Sequence, residues 1–216
     1  MLNNLRTFHP RRSRPSSGAK YALANLLTKY ELPIEKWDFA LLAPNKKVVI
    51  EIGSGMGEAA LLMAQQRPDE FLICLEVHTP GVGSLIYKAE ELGITNIKVV
   101  VKDALDVIEE CVADSSVSEF RIWFPDPWRK TKHHRRRIIQ PEIVEFLITK
   151  LKADGKIHTI TDWPDYARQM ERVLGNIAEL SLIKLDARPD WRPITKFERR
   201  ALTDGRSIHE FIASKK

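Results

Sequence analysis

Apolar residues fall into short unbroken runs separated by longer stretches in which they recur every three to four positions. The runs KVVIEI (47–52), FLICLEV (71–77), IKVVV (97–101), EFRIWF (119–124) and KIHTIT (156–161) are β-branched or aromatic and apolar on both faces. They predict strands covered on both sides. Helical spacing lies between them, in GEAALLMAQQRP, TPGVGSLIYKAEELG, DALDVIEECVAD, QPEIVEFLITKLKADG and WPDYARQMERVLG. The fourth of these opens with Pro141 at a first-turn position and stops at Gly155, predicting a helix over 141–155. Upstream, GAKYALANLLTKY predicts a helix closed by Pro33. Five successive strand–helix units predict an α/β fold, doubly wound around a mostly parallel sheet with helices on both faces. The tail differs, reading as strand (LSLIKLD), short helix (TKFERRALTDG) and strand (SIHEFIAS), an antiparallel C-terminal edge.

With 216 residues, 44% apolar and 29% charged, the chain is expected to be soluble and globular. Residues 1–17 predict a basic, disordered arm and 18–216 a single domain. The net charge of +5 is mild, but it concentrates in residues 6–20 and 129–137, and a polyanion meets the local patch rather than the sum. The arm is rich in Arg, contains Ser and has no acid before Glu31. It therefore fits either an organelle transit segment or an arm that touches nucleic acid. No apolar run approaches the roughly 20 residues of a membrane span. Cys74 and Cys111 lack metal-type spacing and are expected to be reduced, structural thiols of a cytoplasmic protein. No metal site is expected, and monomer and homodimer both remain open.

VVIEIGSGMGEAAL is a strand entering a Gly-rich turn that opens a helix, where this fold class binds nucleotide-like ligands. The glycines Gly53, Gly55 and Gly57 depart from the G-x-G-x-x-G spacing that serves a pyrophosphate, and Glu51 and Glu58 flank them. Those acids would repel phosphate. They suit a ligand with an ammonium and a sulfonium centre, S-adenosylmethionine. Glu76, about 20 residues on, stands where an acid accepts both ribose hydroxyls, and Asp103 is placed to meet the adenine edge. The alternatives are packing glycines, solvated strand ends, and Asp103 as a helix cap.

EFRIWF delivers the chain to the same sheet edge, so Asp126 is expected beside the methyl donor. Pro125 and Pro127 fix φ and hold it on a stiff turn. The run after it supplies Arg129, Lys130, Lys132, Arg135, Arg136 and Arg137, with His133 and His134, a dense set of donors for phosphates. Trp128 either stacks on a base or anchors the loop. Asp162 ends the fifth strand and either reaches the same edge or caps the next helix. Thr195 and Glu198 have capping-box spacing.

EIGSGMG, LEVHTPGVGSL, FPDPWRKTKHHRRR and TKFERRALTDGRSIHEF together resemble the tRNA (guanine-N(7)-)-methyltransferases, from about Lys47 to the C-terminus. Ser54 stands where that family often has Phe, and Arg129 where it often has Pro. The resemblance implies a class I, Rossmann-like, seven-stranded methyltransferase that uses S-adenosylmethionine to methylate guanosine 46 of tRNA. It implies cofactor contacts from Glu51, Gly53, Gly55, Glu76, Asp103 and Asp126, with Asp126 also catalytic. It implies tRNA contacts from Lys130, Asp162, Thr195, Lys196, Phe197 and Glu198, which the cations Lys132, Arg135, Arg136 and Arg137 would extend. The rival readings are a methyltransferase acting on a small molecule or protein, a non-catalytic tRNA binder, and an NAD-dependent oxidoreductase.

Overall fold

The computed structural model describes residues 6–8 and 13–216. The expected disordered arm therefore falls largely on residues 1–5 and 9–12, outside the described residues. The chain forms two compact units, Pro10–Ser116, and Met1–His9 with Val117–Lys216.

The first unit runs α1 (Ser17–Asn25), α2 (Leu27–Tyr30), α3 (Phe39–Leu42), β1 (Lys47–Ile52), α4 (Glu58–Gln66), β2 (Glu70–Leu75), α5 (Thr79–Glu91), β3 (Ile97–Val100) and α6 (Ala104–Cys111). Ser16 starts α1 by accepting from the Ala19 amide at 3.2 Å, a side-chain cap that satisfies an otherwise orphaned donor. The single helix expected from GAKYALANLLTKY is divided at Leu26, whose φ of −119° lies outside the helical range. Strands β3, β2 and β1 are parallel neighbours, with Glu51 opposite Cys74 and Leu75 opposite Val100. Both faces of β2 are buried, as its unbroken apolar pattern requires. Leu72, Cys74, Val82, Leu85, Ile86, Ile97 and Val99 pack into one core. Burying each large aliphatic side chain there contributes about 1.5 to 3 kcal/mol. Gly83 lets α1 lie close on α5, since a Cβ there would sit 2.6 Å from the Ala19 carbonyl oxygen.

The second unit runs β4 (Val117–Trp123), a 3₁₀ helix (Thr131–Arg136), α7 (Pro141–Lys150), β5 (Leu151–Thr161), α8 (Pro164–Gly175), β6 (Leu180–Leu185), α9 (Lys196–Thr203) and β7 (His209–Lys215). β4 and β5 are parallel, and β7 lies between β5 and β6, antiparallel to both. The antiparallel C-terminal edge is thus present. The helix expected over 141–155 ends instead at Lys150. Leu151 turns extended, is fully buried and pairs with Val117. Strand pairing prevails over the helical period there, and Asp154 absorbs the irregularity at φ +59°.

Polar positions on β4, β5 and β7, together with Arg192 and with Glu198 of α9, form a buried ionic cluster in the second unit. Arg121 pairs with Glu119 at 3.0 Å, His158 meets Glu210 at 2.7 Å, and Arg192 bridges Glu210 and Glu198. Glu119, Arg121, His158, Arg192, Glu198 and Glu210 are all buried.

Candidate functional site

In the first unit the parallel strands bring their carboxyl ends to one edge, so the Gly-rich turn, Glu76 and Asp103 emerge together. Gly53, Gly55 and Gly57 all have positive φ, at 82°, 59° and 76°, which only glycine adopts without strain. Their amides are spent inside the protein. Gly53 donates to the Leu75 carbonyl at 2.8 Å, Gly55 to Glu76 Oε2 at 2.7 Å, and Gly57 to the Ser54 carbonyl at 3.0 Å. A pyrophosphate would find none of these three donors available. Nothing lies within 4 Å of where a side chain at Gly53 or Gly55 would begin, so the turn forms an open cradle.

Glu76 is buried, and its other oxygen accepts from the His78 amide at 2.8 Å. A carboxylate has about four acceptor sites, so Glu76 can brace the turn and still accept from a ligand hydroxyl. Glu51 is buried in β1 just before the turn. Asp103 Oδ1 accepts from the Leu105 amide at 3.0 Å and caps α6. The capping alternative is therefore realised there. Gly81 gave no sequence signal as a site residue, yet a Cβ on it would lie 2.2 Å from the Gly55 carbonyl oxygen, so its lack of a side chain admits the turn against α5.

In the second unit β4 and β5 are parallel, so Asp126 and Asp162 leave the sheet at one edge. Phe124 has φ +53°, uncommon for a non-glycine residue, and its amide donates to the Ile160 carbonyl at 2.8 Å. Asp126 is half-buried between the two prolines. Trp128 is buried and donates from Nε1 to the Thr7 carbonyl at 3.0 Å. That settles its alternatives in favour of an anchor.

The cationic run winds as a 3₁₀ helix, so residues three apart share a face. Lys132 and Arg135 point outward and are exposed, as Arg129 and Lys130 are before them. His133 and Arg136 lean on Trp128, with the Arg136 guanidinium 5.0 Å from its ring centroid. His134 and Arg137 form the third face, where Arg137 is buried. The expectation that Arg137 forks onto a phosphate is corrected. Its guanidinium donates to the Pro127 carbonyl at 2.9 Å, Gln169 Oε1 at 2.8 Å and Asp165 Oδ2 at 2.6 Å.

Asp162 forms an ion pair with Arg206, which also holds Asp204 at 2.8 Å. Of its two alternatives Asp162 takes the sheet edge, paired with Arg206, and not the cap of the next helix, which starts from Trp163 with no side-chain cap bond. Thr195 accepts from the Glu198 amide at 3.0 Å and caps α9. Glu198 does not return the capping-box bond to the helix start. It is buried and takes both Arg192 Nη atoms, at 2.5 and 2.9 Å. Its expected direct contact with tRNA is corrected to a supporting place on the buried face of α9. Lys196 and Phe197 are exposed, and the Phe197 ring stacks on Phe124 with centroids 6.2 Å apart at 24°. Sequence reasoning missed Phe124, Arg192 and Arg206. The only available signal was an Arg between aromatic and proline neighbours in DWRPITKFE.

Residues 45–211 match a family described as putative methyltransferase. A tRNA (guanine-N(7)-)-methyltransferase of Nitrosospira multiformis is 41% identical across 98% of this chain and 95% of its own. Another from Burkholderia thailandensis is 40% identical across 100% and 83%. The chain belongs to the tRNA (guanine-N(7)-)-methyltransferase family. Two solved structures share its fold. A rRNA methylase from Streptococcus thermophilus has a TM-score of 0.55 at 12% identity, covering 95% of this chain and 99% of that one. An aminoglycoside resistance methyltransferase has 0.54 at 16%, covering 83% and 95%. This family member is a mostly parallel seven-stranded α/β protein with an antiparallel edge. Among the described residues no cluster of His, Cys, Asp or Glu could hold a metal ion, and no helix is long and apolar enough to cross a membrane.

Proposed function

We propose that this chain transfers a methyl group from S-adenosylmethionine to nitrogen 7 of guanosine in tRNA, the activity its relatives are named for. What carries this reading is the Gly-rich turn whose three glycine amides are spent on Leu75, Glu76 and Ser54. That geometry disfavours pyrophosphate and leaves a cradle bordered by Glu51 and Glu76. When bound, S-adenosylmethionine supplies an electrophilic methyl group on a sulfonium centre. Glu51 would attract its ammonium or sulfonium charge, Gly53 and Gly55 would give it room, and Glu76 would accept from its ribose hydroxyls. Asp103, although it caps α6, retains acceptor capacity for an amino group.

Nitrogen 7 of guanine carries a lone pair and no proton, so no general base is needed to create the nucleophile. Asp126 is assigned to position the base, accepting from its N–H edge and stabilising the positive charge that the purine gains. Adenine lacks that donor pattern. Arg129, Lys130, Lys132 and Arg135 are assigned to the phosphates, and Lys196 and Phe197 to the nucleoside and its surroundings. The variable-loop guanosine at position 46 is the target this reading names.

The deciding experiment incubates labelled S-adenosylmethionine with unmodified tRNA and analyses the nucleosides. Label is expected in 7-methylguanosine. Label confined to protein, or absent from RNA, overturns the reading.

A further inference from the structure

We propose that Arg137 is a positioning residue that fixes the Pro125–Asp126–Pro127 turn, and that it makes no contact with RNA phosphate. This rests on the assignment of Asp126 to the reacting guanine.

The turn is held at two points that bracket Asp126. On its upstream side the Phe124 amide donates to the Ile160 carbonyl at 2.8 Å. On its downstream side the Pro127 carbonyl, one residue past Asp126, accepts from Arg137 Nε at 2.9 Å. The two prolines limit φ between those points. Little backbone freedom remains for Asp126 while both bonds stand.

Arg137 is itself anchored in three other directions. Nη1 donates to Gln169 and Nη2 to Asp165, both on α8, and Nη2 also meets His134 Nε2 at 2.9 Å. The guanidinium lies 4.7 Å from the centroid of the buried Tyr166 ring. Gln169 in turn donates to the Ile139 carbonyl at 2.9 Å, and Tyr166 Oη accepts from the Ile139 amide at 3.1 Å. The turn, the 3₁₀ helix and α8 therefore converge on one planar cation. With its side chain 1% exposed, that cation cannot reach a phosphate without abandoning these partners. Lysine could not replace it, because a single ammonium lacks the planar fork that spans them.

A displacement of about 1 Å in a catalytic group costs about 100-fold in rate. Arg137→Lys is accordingly expected to lower kcat by about 10- to 100-fold while tRNA affinity, and the salt dependence of that affinity, stay at wild-type values. Asp165→Asn, at a partly exposed anchor, is the milder variant and keeps the question open to test should Arg137→Lys fold poorly. It is expected to lower kcat several-fold with the same unchanged salt slope. A merely structural role would not confine the loss to kcat in a variant with wild-type melting behaviour.

Asp126→Ala is the control. Wild-type turnover in Asp126→Ala overturns the assignment of Asp126, and the role of Arg137 with it. Loss of turnover in Asp126→Ala, with wild-type kcat in Arg137→Lys and Asp165→Asn, overturns the positioning role alone. A flattened salt slope in Arg137→Gln, which removes the charge that Lys would keep, overturns it too, by returning Arg137 to the phosphates.

Discussion

Glu76 takes the Gly55 amide at 2.7 Å, so a side chain at the end of β2 sets the shape of the turn that follows β1. Its second oxygen takes the His78 amide at the start of α5. One carboxylate thus braces the cradle that the glycines open. Glu76→Gln replaces an acceptor by an amide that cannot satisfy both N–H groups, and leaving a buried donor unmet costs about 1 to 3 kcal/mol. Calorimetric titration with S-adenosylmethionine should show about a 5- to 140-fold rise in Kd, by conversion of that range. Unchanged affinity would reduce Glu76 to a brace of the turn without a ligand.

Phe197 presents an exposed ring stacked on Phe124, two residues before Asp126. An exposed aromatic face beside a proposed base-reading carboxylate is suited to stacking on a purine. Phe197→Leu keeps the apolar bulk and removes the π-face, at a cost of about 1 to 3 kcal/mol per stacked base. Steady-state kinetics should show KM for tRNA rising while Kd for S-adenosylmethionine holds. Equal KM would leave the ring as packing for Phe124.

The strand pattern made most of this architecture legible, because buried parallel strands write themselves as unbroken apolar runs. KVVIEI is β1 to the residue. The limits lie where distant partners decide. Nothing in QPEIVEFLITKLKADG shows that Leu151 will leave the helix to pair with Val117. The cationic block was visible as charge, but its division into three faces depends on a 3₁₀ winding that buries Arg137 and exposes Arg135. Asp162 was visible as a strand-end acid, whereas its partner Arg206 lies beyond α9 in sequence. The Gly-rich turn suggested its ligand through flanking acids. Where its amides donate was a matter of folding.

The exposed face of the 3₁₀ helix should carry the salt dependence. Lys132→Gln and Arg135→Gln each remove one outward cation, and each is expected to reduce the slope of log K against log salt by about 0.7 to 0.9. Filter binding of tRNA across a salt series measures it. The turnover number at saturating tRNA should change little. A slope equal to wild type in both variants would make the run an ordinary solvated face.

Arg192 is fully buried between Glu198 and Glu210, and it supports α9 from beneath. Arg192→Met would remove the buried cation that Glu198 and Glu210 share, leaving Glu198 with Arg188 at 3.9 Å and Glu210 with His158. Breaking such a buried pair costs about 3 to 5 kcal/mol, and chemical denaturation should register it. The same cluster sets an acid limit. Burial alone would raise Glu210, but hydrogen bonds with His158 and Arg192 outweigh it and hold the carboxyl below its ordinary 4.5. Glu119 is likewise pulled down, burial being outweighed by Arg121, His158 and Lys156. A carboxyl whose folded pKa lies below its unfolded one contributes stability above the unfolded pKa, lost as pH falls through the folded one. The denaturation midpoint should therefore hold down to about pH 5 and fall below the ordinary carboxylate range near 4.3. Arg192→Met removes one of the groups that hold Glu210 down, brings its folded pKa nearer the unfolded one, and should therefore shrink that fall, from a lower starting stability. A fall of wild-type size in the variant would show that His158, without Arg192, is enough to hold Glu210 down.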